Sequence, residues 1–308
     1  MIFRNWTDEH KESFRKKTCL IDHKLSETGL FTDAALAKLL DNHPRSMLDV
    51  CTLSDHDTYQ AKFRSGDARD VDGATLIEAA RSGNIWMNVR EGMNLNAEYK
   101  DLLDTMYGDL ARLTGTKPFK ARGGILITCP TAHTPYHCDP TDTILWHVHG
   151  HKRFYLYPDT PRYLPDDGYE RILYSTSEDY LPYDASMEDE ASIYDLTGDE
   201  MISWPLNMPH RVENMGYCVS VTTEFSTPES TLKNGAMYCN AVLRQKFNMN
   251  PQWRNASMPE KVIKALAGRG LRKLGVLSSM KETDLVSFKV DRTAPNFILD
   301  IKPFARNF

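Results

Sequence analysis

Five of the ten histidines fall between residues 133 and 151, in the run HTPYHCDPTDTILWHVHGH. In a β-strand, residues i and i+2 point to one face, so His137 and Asp139 are expected to converge while Cys138 turns away. An imidazole and a carboxylate side by side make two of the three groups of a facial metal triad; the third should be a histidine from a strand well downstream. The segment GDEMISWPLNMPHRVEN offers a turn, a strand, a loop stiffened by Pro205 and Pro209, and then His210 at the head of another strand. Two histidines and one aspartate hold Fe(II) while leaving positions for a substrate and O2.

Iron oxygenases with this ligand set usually need 2-oxoglutarate, whose far carboxylate requires a buried cation. Many draw that cation from an arginine beyond the distal histidine, but RVENMGYCVSVTTEF has no basic residue after Arg211, which is too near the ligand. Lys152 is the candidate instead. It follows the strand TILWHVHG and a turn at Gly150 that can bring the chain back to the same cavity. Thr134 and Thr143 are candidates to offer hydroxyls to the same carboxylate or its neighbour. The alternating His147, His149 and His151 form a rival ligand set, but HGHKRFYLYPDTP lacks the glutamate such a set needs. They read as barrel-lining or hairpin residues, hydrogen-bonded to neighbours. Trp146, Tyr155 and Tyr157 read as sheet packing, and Cys138 and Cys218 as small buried fillers.

The elements that must carry these residues follow from periodicity. Residues 1–83 read as a mainly helical flank, with TDAALAKLLDNH behind a capping Thr32. NIWMNVREG alternates as a strand, and NLNAEYKDLLDTMYGDLARLTG is the clearest helix, with a glycine stop. From about residue 121 the period drops to two: GGILITCP, DTILWHVHG, KRFYLYP, ASIYDL, EMISWP and YCVSVTTEFS are short strands between turn residues. Such a series suggests a sandwich or barrel. Residues 229–308 return to helical periodicity and form a basic C-terminal region.

At this point the sequence resembles the JmjC-type, cupin-fold hydroxylases, especially the group around the asparaginyl hydroxylase of hypoxia-inducible factor, and bacterial cupin-like relatives. The resemblance covers roughly residues 84–228 and rests on TPYHCD, HGHKRFYLYP and GDEMISWPLNMPHRVEN. It implies a mainly β core, a double-stranded β-helix (jelly-roll or cupin) flanked by N-terminal and C-terminal helices. His137, Asp139 and His210 match the iron ligands, Lys152 the lysine that pairs with 2-oxoglutarate, and Thr134 the threonine at that carboxylate. Thr143 stands where the family has an asparagine, and the tyrosine that some members add from an early strand has no obvious equivalent in NIWMNVREG. The implied cofactors are Fe(II), 2-oxoglutarate as co-substrate, and O2. The implied activity is hydroxylation of an unactivated C–H bond in a protein or peptide side chain. The alternatives are a small-molecule hydroxylase and a non-catalytic cupin-like binding or regulatory protein.

Bulk properties narrow the partners. With 41% apolar and 26% charged residues the chain suits a soluble globular protein. It has no apolar run near the roughly 18 residues a membrane span needs. MIFRNWTDEHKESFRKK lacks the layout of a secretory signal. The six cysteines are scattered without a CxxC pair, which reads as reduced thiols in the cytoplasm. A net charge of −5 argues against a general nucleic-acid binder. Residues 243–308 hold 13 Lys/Arg against 5 Asp/Glu, and the C-terminal helices are expected to be able to form a homodimer. Residues 159–200 hold 13 acids and two arginines, an expected surface excursion that would favour a cationic substrate.

Overall fold

Two sheets face each other across a buried seam, and the chain passes between them at almost every turn from residue 119 to 226. The computed structural model describes residues 1–53, 63–174, 181–277 and 284–306. The helices are α1 (Asp8–Ser13), α2 (Asp33–Asn42), α3 (Gly73–Ser82), α4 (Gly92–Leu95), α5 (Ala97–Thr114), α6 (Asp166–Tyr174), α7 (Pro228–Phe247) and α8 (Met258–Lys273). The strands in the N-terminal part are β1 (Cys19–Asp22), β2 (Leu48–Leu53), β3 (Phe63–Asp67) and β4 (Trp86–Val89). Eight more follow: β5 (Phe119–Thr128), β6 (His133–His137), β7 (Asp142–His149), β8 (Lys152–Leu156), β9 (Ser192–Leu196), β10 (Glu200–Ser203), β11 (His210–Asn214) and β12 (Cys218–Ser226). The last two are β13 (Leu285–Val290) and β14 (Ile298–Ala305).

The large sheet runs β1-β10-β7-β12-β5-β4-β2-β3-β13-β14, and the small one β6-β11-β8-β9. Only the β13–β3 pair is parallel among the described pairings, so the large sheet is mixed. Helices flank it. Thr32 caps α2 by accepting from the Ala35 amide, and Gly115 ends α5 in the left-handed conformation that glycine adopts at low cost. No described helix is long and apolar enough to cross a membrane.

The two flanks expected to be helical also supply strands. β1, β2 and β3 extend the large sheet from the N-terminal side, and β13 and β14 add its far edge. Short runs such as LDVCTL and LVSFKV carry too few residues to announce a period; long-range pairing decides their state. The acidic stretch 159–200, whose residues 175–180 lie outside the described ones, carries a packed face. It folds over the outer face of the small sheet, where Tyr163, Leu164, Tyr169 and Met187 pack with Tyr136 and Tyr157. Its last part is β9, the edge of the small sheet.

Register fixes which residues face the seam. Directly opposed residues on neighbouring strands share a face. On β12 and β7, Ser220 with His147, Thr222 with Leu145 and Glu224 with Thr143 share one side. Val221 and Trp146 take the other and join the main core with Leu36, Leu40 and Leu76. Each such fully buried side chain contributes about 1.5–3 kcal/mol. Between the sheets a smaller cluster of Leu145, Phe154, Leu156, Ile202 and Val212 fills part of the seam.

Candidate metal centre

β6 and β11 bring the two histidines together. His137, the last residue of β6, pairs with His210, the first of β11, and their ring centroids lie 4.2 Å apart. Asp139 sits two residues beyond the end of β6, with its Oδ1 3.9 Å from His137 Nε2 and its Oδ2 3.6 Å from His210 Nε2. One ligating atom from each of the three lies within 4.8 Å of the others, and no other such group of three or more His, Cys, Asp or Glu occurs among the described residues. The rival set does not assemble: His147 is buried and His149 exposed.

Both imidazoles are oriented for coordination. His137 Nδ1 lies 2.8 Å from the Pro135 carbonyl and His210 Nδ1 3.0 Å from that of Met208. A carbonyl only accepts, so each Nδ1 carries the proton and each Nε2 keeps its lone pair toward Asp139. Phe154 stacks on the His210 ring at 5.2 Å and Trp204 packs at 4.8 Å, which holds it in place. Burial, then the neighbouring His137, pushes His210 down to about 4. It therefore stays neutral, the form a metal needs. His137 and Asp139 remain about a quarter exposed, so the centre opens on their side.

Asp139 lies outside the sheet, and three side chains position its backbone instead. Asn207 Nδ2 donates to the Asp139 carbonyl at 2.5 Å, and Asn234 Nδ2 donates to the Pro140 carbonyl at 2.6 Å. Tyr169 in turn donates to Asn234 Oδ1 at 2.5 Å. The loop before β11, α7 and α6 thus all reach the carboxylate loop. Asn207 adopts φ +64°, a region that asparagine tolerates better than most residues.

A β-bulge completes the arrangement. Thr134 pairs with Val212 and His137 with His210, three residues on one strand against two on the other. The extra residue turns Thr134 to the same face as His137 despite the odd spacing. Lys152 pairs with Asn214, so it too shares the face of His210 and Val212. It is 3% exposed, and its Nζ donates to Ser220 Oγ at 3.1 Å across the seam. No carboxylate pairs with it among the described residues. Ser220 Oγ also meets His147 Nδ1 at 3.0 Å, and the other ring nitrogen donates to the Gly150 carbonyl at 3.0 Å. Burial lowers the Lys152 amine below its usual range, and burial followed by Lys152 itself pushes His147 down to about 3.

Thr143 also faces the seam, but at the other end. It lies beside Glu224, four residues and about 13 Å along the strand from His147. Its hydroxyl turns back to the Thr141 carbonyl at 3.5 Å. The structure thus brings Thr134 and Lys152 to one face with the two histidines but does not bring Thr143 to Lys152. Ser220, Asn207, Asn234, Tyr169 and the pair formed by Glu224 and Arg122 (2.9 Å) were not singled out from the sequence. Nothing in their spacing marks them, because each acts through a partner far away in the chain.

All six cysteines are buried and unbridged. Burial raises the thiols of Cys138 and Cys218, as befits fillers rather than redox groups.

No protein-family model matches the chain, and no curated protein matches it by sequence. Solved structures do match by shape. One is Escherichia coli YcfD, at 15% identity and a TM-score of 0.50, covering 89% of this chain and 68% of that one. Another is YcfD described as a ribosomal oxygenase from Escherichia coli, in complex with cobalt and 2-oxoglutarate, at 13% identity and a TM-score of 0.50, covering 93% and 74%. The chain thus has the fold of a protein seen with cobalt and 2-oxoglutarate.

Proposed function

We propose that this protein is an Fe(II)- and 2-oxoglutarate-dependent hydroxylase of a protein or peptide side chain, with residues 84–228 as its catalytic unit. The observation that carries the reading is Lys152: a buried ammonium with no carboxylate partner among the described residues, on the same inner face as His137 and His210. A lone buried cation is expensive to keep, and a ligand carboxylate would compensate it. The strand order supports a double-stranded β-helix, since β5, β7, β10 and β12 lie in one sheet and β6, β8, β9 and β11 in the other. The likeness to a ribosomal oxygenase favours a protein substrate over a small molecule. The buried, unbridged cysteines suit a cytoplasmic location. Exposed Met258, Ile263 and Leu266 on α8 suit a homodimer, which sedentation-free light scattering of the eluting protein would test.

The donor set fits iron. Two neutral imidazole nitrogens and one carboxylate oxygen are the ligands of a facial triad, and His137, His210 and Asp139 would hold the ion. Bound there, iron with 2-oxoglutarate supplies oxidation of a C–H bond by O2, coupled to decarboxylation of the keto acid. The protein's own residues do the positioning. Lys152 grips the far carboxylate, with Thr134 on the same face as a second donor. Ser220 orients the ammonium, and the Pro135 and Met208 carbonyls fix both imidazoles. Asn207 and Asn234 hold the loop of Asp139. Phe154 and Trp204 exclude water from the His210 side.

The test is an anaerobic titration of apo-protein with Fe(II) and 2-oxoglutarate, following the visible charge-transfer band of the chelated keto acid. The band should form in the wild type and weaken in His137→Ala and Lys152→Ala. Its absence from wild type at every iron loading would leave a binding module as the better reading.

A further inference from the structure

Building on the oxygenase reading above, we infer that the enzyme accepts an acidic peptide segment, whose carboxylates are read by α8 beside the metal centre. A cavity of about 860 Å³ lies between the barrel mouth, α7 and α8. That is within the range of pockets that enclose a sizeable ligand. The three candidate metal ligands do not line it. It adjoins them through Pro140 and Thr141, which directly follow Asp139. An occupant of the cavity therefore lies next to the ligand loop.

The walls are basic. Lys120, Arg122, Arg269, Arg272 and Lys273 line the cavity, against Glu91 and Glu224. Arg122 is engaged by Glu224 at 2.9 Å. Arg269, Lys273 and Lys120 are exposed and have no carboxylate partner among the described residues, and Arg272 leans over the Tyr238 ring at 5.8 Å. Their place is set by backbone contact. A Cβ on Gly268 would lie 1.9 Å from the Gly235 carbonyl oxygen, and one on Gly235 would lie 2.8 Å from that of Ala265. Only glycines let α7 and α8 approach this closely, and the turn after Gly268 then lies along the cavity edge.

Several described acids of the stretch 159–200, in contrast, already have arginine partners. Glu170 pairs with Arg244 at 2.8 Å and Glu188 with Arg211 at 2.6 Å. Asp195 pairs with Arg153 at 2.7 Å and Asp159 with Arg254 at 2.7 Å. The charge lining the cavity is mostly positive, five basic residues against two acidic ones. A nucleic acid would meet a chain of net charge −5 with only this small basic patch, so a peptide carboxylate is the better match.

The experiment is fluorescence anisotropy with short labelled peptides that are glutamate-rich, serine/glycine or lysine-rich, and with a labelled single-stranded oligonucleotide. The glutamate-rich peptide should bind at least about tenfold more tightly than the lysine-rich one, with the difference shrinking as salt rises. The double variant Arg269→Glu/Lys273→Glu, at exposed positions and checked for fold by circular dichroism, should erase or reverse that order. Equal binding of all peptides, preference for the lysine-rich one, or tightest binding of the oligonucleotide would each overturn the inference. The iron titration of wild-type protein is run alongside. A normal band with no charge preference sinks this inference alone, whereas a missing band sinks the oxygenase reading.

Discussion

Replacing Lys152 by methionine should make the apo-protein more stable and deaf to 2-oxoglutarate. The ammonium is 3% exposed and has one described partner, the neutral Ser220 hydroxyl. Exchanging buried ionic groups for apolar ones of similar size yields about 1–4 kcal/mol. Loss of the hydrogen bond to Ser220 takes back about 1 kcal/mol. The net gain, about 0–3 kcal/mol and centred near 1.5 kcal/mol, raises the melting temperature by about 2–3 °C at its centre in a chain of this size. Binding moves the other way: an unpaired ligand carboxylate in the same place costs about 3–5 kcal/mol, a loss of at least a hundredfold in affinity at about 1.4 kcal/mol per tenfold. Thermal melts with and without 2-oxoglutarate and a redox-inert divalent metal read both effects. Ligand at a hundred times its Kd adds about 2.7 kcal/mol to the wild type and should add almost nothing to the variant. The pH dependence gives a second signature. Because the folded Lys152 amine titrates below the 10.5 of the unfolded chain, the unfolded state holds more protons between the two values. Stability from this group therefore rises with pH through that window, and the variant loses the rise. A Lys152→Met protein that melts lower than wild type while keeping the full ligand shift would refute the reasoning.

Three further outcomes follow from the same geometry. Asn234→Leu removes the donor to the Pro140 carbonyl and the acceptor for Tyr169, so Co(II) affinity should fall about 10–100-fold; competition with a chelating dye measures it, and unchanged affinity counts against a positioning role. His147, pushed down to about 3 in the folded state, takes up its proton in the unfolded chain below the usual 6.5, so stability falls as pH drops from 6.5 toward 3. Its limiting slope is about 1.4 kcal/mol per pH unit, and urea unfolding between pH 7 and 5 should show a shallower slope in His147→Gln; equal slopes would refute the assignment. Glu188→Ala leaves the buried Arg211 with Glu213 as its remaining acidic partner named here, at a cost of about 3 kcal/mol. Faster proteolysis within residues 159–191 and a lower melting temperature are expected, and a stable, resistant variant would show that the stretch is held otherwise.

The grouping of His137, Asp139 and His210, which the structure brings together, was legible because few residue types ligate metals and their spacing around short strands is distinctive. Lys152, buried on the same inner face, was legible for a related reason, since the proposed co-substrate's carboxylate would need a cation. Their supports were not. Asn207, Asn234 and Ser220 are ordinary polar residues whose role exists only when a carbonyl, an ammonium or an imidazole from a distant segment arrives beside them. Thr134 shares a face with His137 only through a bulge that alternation does not encode. The strands β2, β3 and β13 were hidden because each is short and takes its state from its neighbours in the sheet. The packing of the acid-rich stretch was not legible, since composition counts charges but not the arginines that face them across the fold.

The glycine contact between α7 and α8 has a consequence for how such an enzyme can change its target. The two helices are joined there by main chain, so the fastening does not depend on the side chains that α8 turns toward the cavity. Arg269, Arg272 and Lys273 are then replaceable at small cost to folding, and a new set at those three positions would change what the cavity favours while the proposed iron ligands and Lys152 stay as they are. Gly235 and Gly268 are the opposite case: any side chain there lifts the whole wall. On the proposed reading, substrate choice and chemistry would be separable by mutation, with α8 acting as an exchangeable cassette.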